Sequence, residues 1–261
     1  IAAYGADIVR IAGNYDESVQ EAARLAAAHG WQVIADTSYD GYEDIPRDVM
    51  QGYGAIAEEI VEQTSAQRGR AGAFTHVFLQ GGVGGMAAGL ASYFWEYHGP
   101  QRPCFISVEP AQADCLLQSA IQGRPAKATG TVDSVMAGLA CGETSPLAWR
   151  FLQPCVDVFM TIEDEQAIEA MRTLAQGSER DTPIVVGESG VAGLAALEWL
   201  RSDPQRSEQV GLTAESRVLI ISTEGATAPR EYTRLVGQSA EQVLQRQQAW
   251  QAAHALQTQP A

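Results

Sequence analysis

The chain has 261 residues, enough for one large α/β domain or two small ones with a substantial core. Its formal net charge of −15 argues against nucleic acid as a partner, because no basic patch remains to neutralise phosphates. Hydrophobic residues make up 46%, yet charged residues or glycine interrupt every apolar run short of a membrane span, and none of the four cysteines forms the C-x-x-C pair of zinc or thioredoxin-type sites.

The opening stretch, IAAYGADIVRIAG, carries no secretory signal and reads as the middle of a domain, so a preceding segment and a cytoplasmic location with free thiols are expected. Residues 6–13 are a short apolar run ending in glycine, which predicts a strand. A helix follows over 15–30, with Asp16 as N-cap and Gly30 as its stop. WQVIAD (31–36) is the next predicted strand, and 37–46 is polar and turn-rich. A helix is predicted from about Val49 to Gln67 and a linker over 68–73. FTHVFLQ (74–80) is a strand, followed by a glycine loop, a small-residue helix and the strand CFISVEP (104–110). Helices near 112–122 and over PLAWRFLQPCV, a strand over DVFMTIED, and helices over EQAIEAMRTLAQG and GESGVAGLAALEWLRS come next. RVLIISTEGAT (217–227) reads as a buried strand and turn, and the tail from about Pro229 as helix with a frayed end. Alternating strands and helices predict an α/β fold with mostly parallel sheets. The linker divides it into part of a small lobe (1–68) and a large ligand-binding lobe (69–261).

LQGGVGGMAAGL (79–90) holds Gly81, Gly82, Gly84 and Gly85 between a strand and a helix. A bare backbone there can turn its N–H groups on an anion, and the helix start adds positive potential. No G-K-[ST] follows, so it is not a P-loop. Gly82, Gly84 and Ala87 fit a loose dinucleotide pattern, with Glu109 at the end of the next strand, so a dinucleotide and a single phosphate both remain open. Loops 81–85 and 222–227 follow parallel strands and so share one side of the sheet, where ligands bind. Glu188, at a helix start, can face the same crevice, and Ser222 and Thr223 offer hydroxyls there; the other reading is that those hydroxyls satisfy their own turn. Asp36, just past a strand end, suits acid/base work or caps the turn at Thr37–Ser38. Asp40, Glu43 and Asp44 read as solvated turn residues, and Tyr39 and Tyr42 are candidates to line a pocket.

Six segments in this order, ADTSYDGYEDIP, HVFLQGGVGGMAAGL, SVEPAQADC, SVMAGLACGE, GESGVAGL and ISTEG, resemble diaminopropionate ammonia-lyase over nearly the whole chain, to about Tyr232. That family has the fold of the tryptophan synthase β-subunit type, pyridoxal-phosphate fold type II. The resemblance implies α,β-elimination of 2,3-diaminopropionate to pyruvate and ammonia. It implies that Gly81, Gly82, Val83, Gly84 and Gly85 bind the pyridoxal 5'-phosphate phosphate group, that Ser222 or Thr223 meets the pyridine nitrogen, and that Asp36 is an acid/base group near the substrate. It further implies a homodimer, no metal, and a cysteine pair, Cys115 and Cys141, that can form a disulfide in relatives. A serine/threonine dehydratase-like eliminase and a non-catalytic phosphate-binding remnant are the other readings. One departure stands out: the only lysine, Lys127, lies in a polar loop and does not match the family's Schiff-base lysine, which lies earlier than anything corresponding to Ile1. The chain alone is therefore expected to be an inactive fragment.

Overall fold

Four apolar runs make the sheet. In the computed structural model, which describes residues 2–68 and 74–255, they are β1 (His76–Gln80), β2 (Cys104–Pro110), β3 (Val158–Ile162) and β4 (Val218–Ile220). They pair in the order β3-β2-β1-β4, all parallel. Every residue of β1 is buried, as expected for a central parallel strand covered on both faces. Successive side chains point to opposite faces. Val77 and Leu79 enter a cluster with Leu90 and Phe94 of α4 (Gly85–His98) and Leu152 of α6 (Pro146–Cys155). Phe78 enters a second cluster with Met171 of α7 (Asp164–Gln176), Ala195 and Ala196 of α8 (Ala192–Arg201) and Leu235 of α10 (Pro229–Val236). The sheet thus has a helical layer on each face, and its strands' carboxyl ends share one edge. Among the described residues no helix is long and apolar enough to cross a membrane.

The N-terminal region differs from the pattern read in sequence. Residues 6–13 and 31–36 are not strands. Ile8, Val9, Trp31 and Ile34 are 54%, 65%, 61% and 70% exposed. A strand exists only by pairing, and no described strand offers these runs an edge. The helix between them, α1 (Tyr15–His29), starts two residues earlier than a cap at Asp16 requires. Asn14 is the N-cap: its side chain accepts from the N–H groups of Asp16 and Glu17, and Glu17 accepts from the Asn14 N–H in return. Gly30 ends it at φ 70, as expected. The helix expected over 49–67 is two, α2 (Asp44–Gly52) and α3 (Gly54–Arg68), meeting at Tyr53. The linker expected at 68–73 falls, from residue 69 on, outside the described residues. The remaining helices are α5 (Cys115–Gln122), α9 (Pro204–Gln209), which the sequence pattern did not indicate, and α11 (Ala240–Ala255).

One ion pair ties the starts of β2 and β3. The Arg102 guanidinium forks onto both oxygens of Asp157, at 2.6 and 2.8 Å, and Asp157 also accepts the Phe105 N–H at 2.9 Å. Burial pushes the Asp157 carboxyl up, but the Arg102 hydrogen bond, the Phe105 N–H and the Arg102 charge together hold it below its ordinary value. A depressed folded value stabilises the protein above the unfolded pKa of about 3.9, and that stability is lost as pH falls through the lower folded value. Asp157→Asn is expected to lower the unfolding free energy in urea by about 1–2 kcal/mol at neutral pH, with the gap from wild type closing on acidification below about pH 4.

Candidate functional site

Because β1 and β4 are parallel neighbours, the glycine loop after one and the 221–227 turn after the other open on the same side. Between them lies a cavity of about 460 Å³. Asp36, Gly81, Gly82, Val83, Gly84, Gly85 and Thr223 all line it. Glu188 and Ser222 do not. Ser222 is exposed beside Thr223. Glu188 is buried in the turn before α8, where burial and the charges of Glu224 and Glu231 raise its pKa.

The loop's conformation follows from its glycines. Gly84, the N-cap of α4, has φ +99, and a Cβ there would lie 2.7 Å from Leu152 Cδ1. A Cβ on Gly85 would instead meet the Asp36 main-chain oxygen at 3.3 Å, across the mouth of the helix. The Gly81 N–H donates to Val108 O. No described residue accepts from the N–H groups of Gly82, Gly84, Gly85 or Met86. These donors stand at the positive end of a 14-residue helix and face the cavity, which is the chemistry of an anion cradle.

Glu109 separates the two kinds of phosphate ligand. It is 1% exposed, and its carboxylate accepts the N–H groups of Leu116 and Leu117 at the start of α5, at 3.1 and 3.2 Å. Burial still holds its pKa well above the ordinary carboxylate value. It serves a helix terminus and does not line the cavity, so the dinucleotide pattern lacks its acidic partner.

Asp36 has a partner that sequence spacing did not reveal. The Tyr15 hydroxyl, at the first residue of α1, donates to Asp36 Oδ1 at 2.7 Å. Burial and this bond, with the Asp36 charge, push the Tyr15 phenol far up, so it stays a donor. Asp36 does not cap the Thr37–Ser38 turn: the Ser38 N–H donates to Ser145 Oγ at 3.1 Å. Tyr53 lines the same cavity, its phenol raised by burial and by Asp36. Tyr39 and Tyr42 do not line it. They stack at 4.8 Å, and the Tyr42 hydroxyl bridges Ala35 N–H and Val33 O. Tyr39 lines a separate cavity of about 740 Å³. Lys127 lies there too, ion-paired to Glu143 at 2.5 Å with its side chain 76% exposed, the solvated charge its loop position suggests.

Cys115 and Cys141 are both free and buried, and both abut Gly82. The Cys115 thiol donates to Gly82 O at 3.4 Å, and a Cβ on Gly82 would lie 2.9 Å from Cys141 Sγ. Burial, with the nearby Asp36 charge, pushes the Cys141 thiol up to about 12. Among the described residues no group of His, Cys, Asp or Glu side chains is placed to hold a metal ion.

The chain resembles known proteins over this same region. The family model for pyridoxal-phosphate dependent enzymes matches residues 1–224. The diaminopropionate ammonia-lyase of Escherichia coli K12 is 40% identical over 235 residues, covering 89% of this chain and 58% of that protein. The diaminopropionate ammonia-lyase of Salmonella typhimurium is 38% identical over 245 residues, covering 91% and 60%. The crystal structure of the Escherichia coli enzyme with an aminoacrylate-PLP azomethine reaction intermediate superposes with a TM-score of 0.81 at 39% identity, covering 90% of this chain and 60% of that one. The chain therefore spans about 60% of the length of these relatives.

Proposed function

The chain belongs to the pyridoxal-phosphate dependent enzymes, with the α/β architecture of fold type II, and from that premise we propose that it is the cofactor-binding part of a diaminopropionate ammonia-lyase. The reaction is α,β-elimination of 2,3-diaminopropionate, which with one water gives pyruvate and two ammonia. The observation that carries this reading is the set of main-chain N–H groups of Gly82, Gly84, Gly85 and Met86, which have no acceptor among the described residues, facing Asp36 and Thr223 across one cavity.

The fit to the coenzyme is good at two of its three attachment points. The donors of the glycine loop suit a single phosphate, and their cradle is closed in by the Leu116, Cys141 and Leu152 side chains and the Asp36 main-chain oxygen, which a Cβ would meet. The Thr223 hydroxyl suits a neutral ring nitrogen, since a hydroxyl does not protonate it as a carboxylate would. The third point, a lysine, is not met: Lys127 is engaged outside this cavity. When bound, pyridoxal phosphate supplies an electron sink for the carbanion formed at the substrate's Cα. Asp36 then has a role that suits a diamino substrate. Its carboxylate binds the β-ammonium, and with Tyr15 fixing Oδ1, the other oxygen is free to accept an N–H of that ammonium and keep it protonated until it leaves as neutral ammonia. The same reading carries a homodimer, a cytoplasmic location, which agrees with the four free thiols, and Ser222 and Glu188 as supports of the ring-binding turn rather than its contacts.

The test uses the 261-residue chain itself. Calorimetry should find binding of pyridoxamine phosphate at least about 100-fold tighter than of pyridoxamine, the difference being the phosphate's charge-assisted hydrogen bonds. Equal affinities would remove the cradle. The same chain should release no pyruvate from 2,3-diaminopropionate, because its one lysine is misplaced for a Schiff base; measurable pyruvate refutes that part.

A further inference from the structure

β1 ends in a residue at odds with its neighbours. Gln80 is the last residue of an otherwise apolar and aromatic stretch, Val77-Phe78-Leu79, and is 2% exposed. Its Nε2 donates to Ile221 O at 2.7 Å and to Thr223 Oγ1 at 3.1 Å. Its Oε1 is buried and has no partner among the described residues. The orientation of the amide is not arbitrary. A main-chain carbonyl only accepts, so turning the amide over would set two oxygens face to face at the Ile221 contact. Both Nε2 protons are therefore spent on the 221–223 turn, and one of them occupies a lone pair of the Thr223 hydroxyl. Among the described residues no other hydrogen bond engages Thr223, which lines the cavity. Its own proton is left to point there.

We infer that Gln80 is a positioning residue that holds the Thr223 hydroxyl as a hydrogen-bond donor toward the cavity, so that a bound pyridine ring presents an unprotonated nitrogen. This rests on the proposed coenzyme reading, in which the ring nitrogen meets Thr223. The chain of polarity runs one way: amide N–H to hydroxyl oxygen, hydroxyl proton to ring nitrogen. An oxygen in the place of Nε2 would reverse it. Whether ionised, or protonated with its single proton on Ile221 O, a carboxyl oxygen there accepts the Thr223 proton. Thr223 then offers the ring only lone pairs, and the ring must bring a proton of its own.

The probe is pyridoxamine phosphate labelled with ¹⁵N in the ring, which has no aldehyde and so needs no lysine. In wild type the bound ¹⁵N resonance is expected at the position of a neutral, hydrogen-bonded pyridine. Gln80→Glu should move it to the pyridinium position and make the affinity rise as pH falls. Gln80→Met, close in shape but without donors, should keep the neutral resonance and weaken binding about three- to tenfold, the loss of one oriented neutral hydrogen bond. If Gln80 were merely structural, both variants would lower thermal stability and affinity together with the resonance unmoved; that result overturns the inference. Should Gln80→Glu fail to fold, Gln80→Met binding within about twofold of wild type overturns it as well. Thr223→Val separates this from the underlying reading: if that variant leaves both resonance and affinity as in wild type, the ring does not meet Thr223 and the proposed coenzyme placement fails with it. If Thr223→Val shifts the resonance but Gln80→Glu does not, Gln80 alone is misassigned.

Discussion

Asp36→Asn is expected to lower pyruvate release from 2,3-diaminopropionate by about 100-fold or more, the usual size of a lost general acid/base, measured in a form of the protein that supplies a Schiff-base lysine. The amide keeps the shape and can still accept the Tyr15 hydroxyl, so the geometry at 2.7 Å survives. What it loses is charge and proton affinity. Two consequences distinguish this from general damage. Binding of pyridoxamine phosphate should stay within about twofold, because the phosphate cradle is built from main chain and not from the Asp36 side chain. The loss should also be larger for diaminopropionate than for serine, whose β-hydroxyl carries no positive charge for a carboxylate to bind. An unchanged rate on diaminopropionate would sink the assignment of Asp36, and an equal loss on serine would favour a dehydratase-like eliminase. Tyr15→Phe is the companion variant. It leaves Oδ1 without its donor and should cost less, because the charge remains.

How much of this was legible before any coordinates depended on the kind of interaction involved. The strands β1 and β2 were plain because a parallel strand buried on both faces is a contiguous apolar run, and Val77, Phe78 and Leu79 need no partner's identity to declare themselves. The runs at 6–13 and 31–36 have the same composition, yet they form no strand: pairing is a property of two segments, and one segment's composition cannot supply the other. The glycine loop was legible from spacing, because four glycines between a strand and a helix leave few other uses. Glu109 shows the limit of spacing. Its distance from the loop suited a ribose contact, but the side chain turns to the start of α5, where two N–H groups wait. The Tyr15–Asp36 bond joins residues 21 apart through a helix start and a turn, and no periodicity reports such a contact. Gln80 did leave a signal, a lone amide closing an apolar strand just before the loop. Its meaning came only with the 221–223 turn beside it.

Gly85→Asp is expected to abolish phosphate-dependent binding, raising the dissociation constant for pyridoxamine phosphate by about 100-fold or more. The position is chosen from what each glycine faces. A Cβ at Gly81 or Gly84 would run into Leu116 or, at 2.7 Å, Leu152, so substitutions there strike the core and confuse binding with folding. At Gly85 the new Cβ meets only the Asp36 main-chain oxygen, at 3.3 Å, a contact that a shift of a few tenths of an ångström relieves. A carboxylate in the first turn of α4 favours the helix by about 0.3–1 kcal/mol through the same unpartnered N–H groups. It therefore competes with the phosphate for those donors and repels it, while slightly stabilising the helix. The two effects have opposite signs, which makes the variant diagnostic: the melting temperature should hold within a few degrees as binding disappears. If the variant still binds pyridoxamine phosphate as wild type does, the anion sits elsewhere and the glycine loop is only a tight turn. If binding and melting temperature fall together, the substitution has damaged the lobe, and Gly85→Ala, which adds bulk without charge, then tells packing from repulsion.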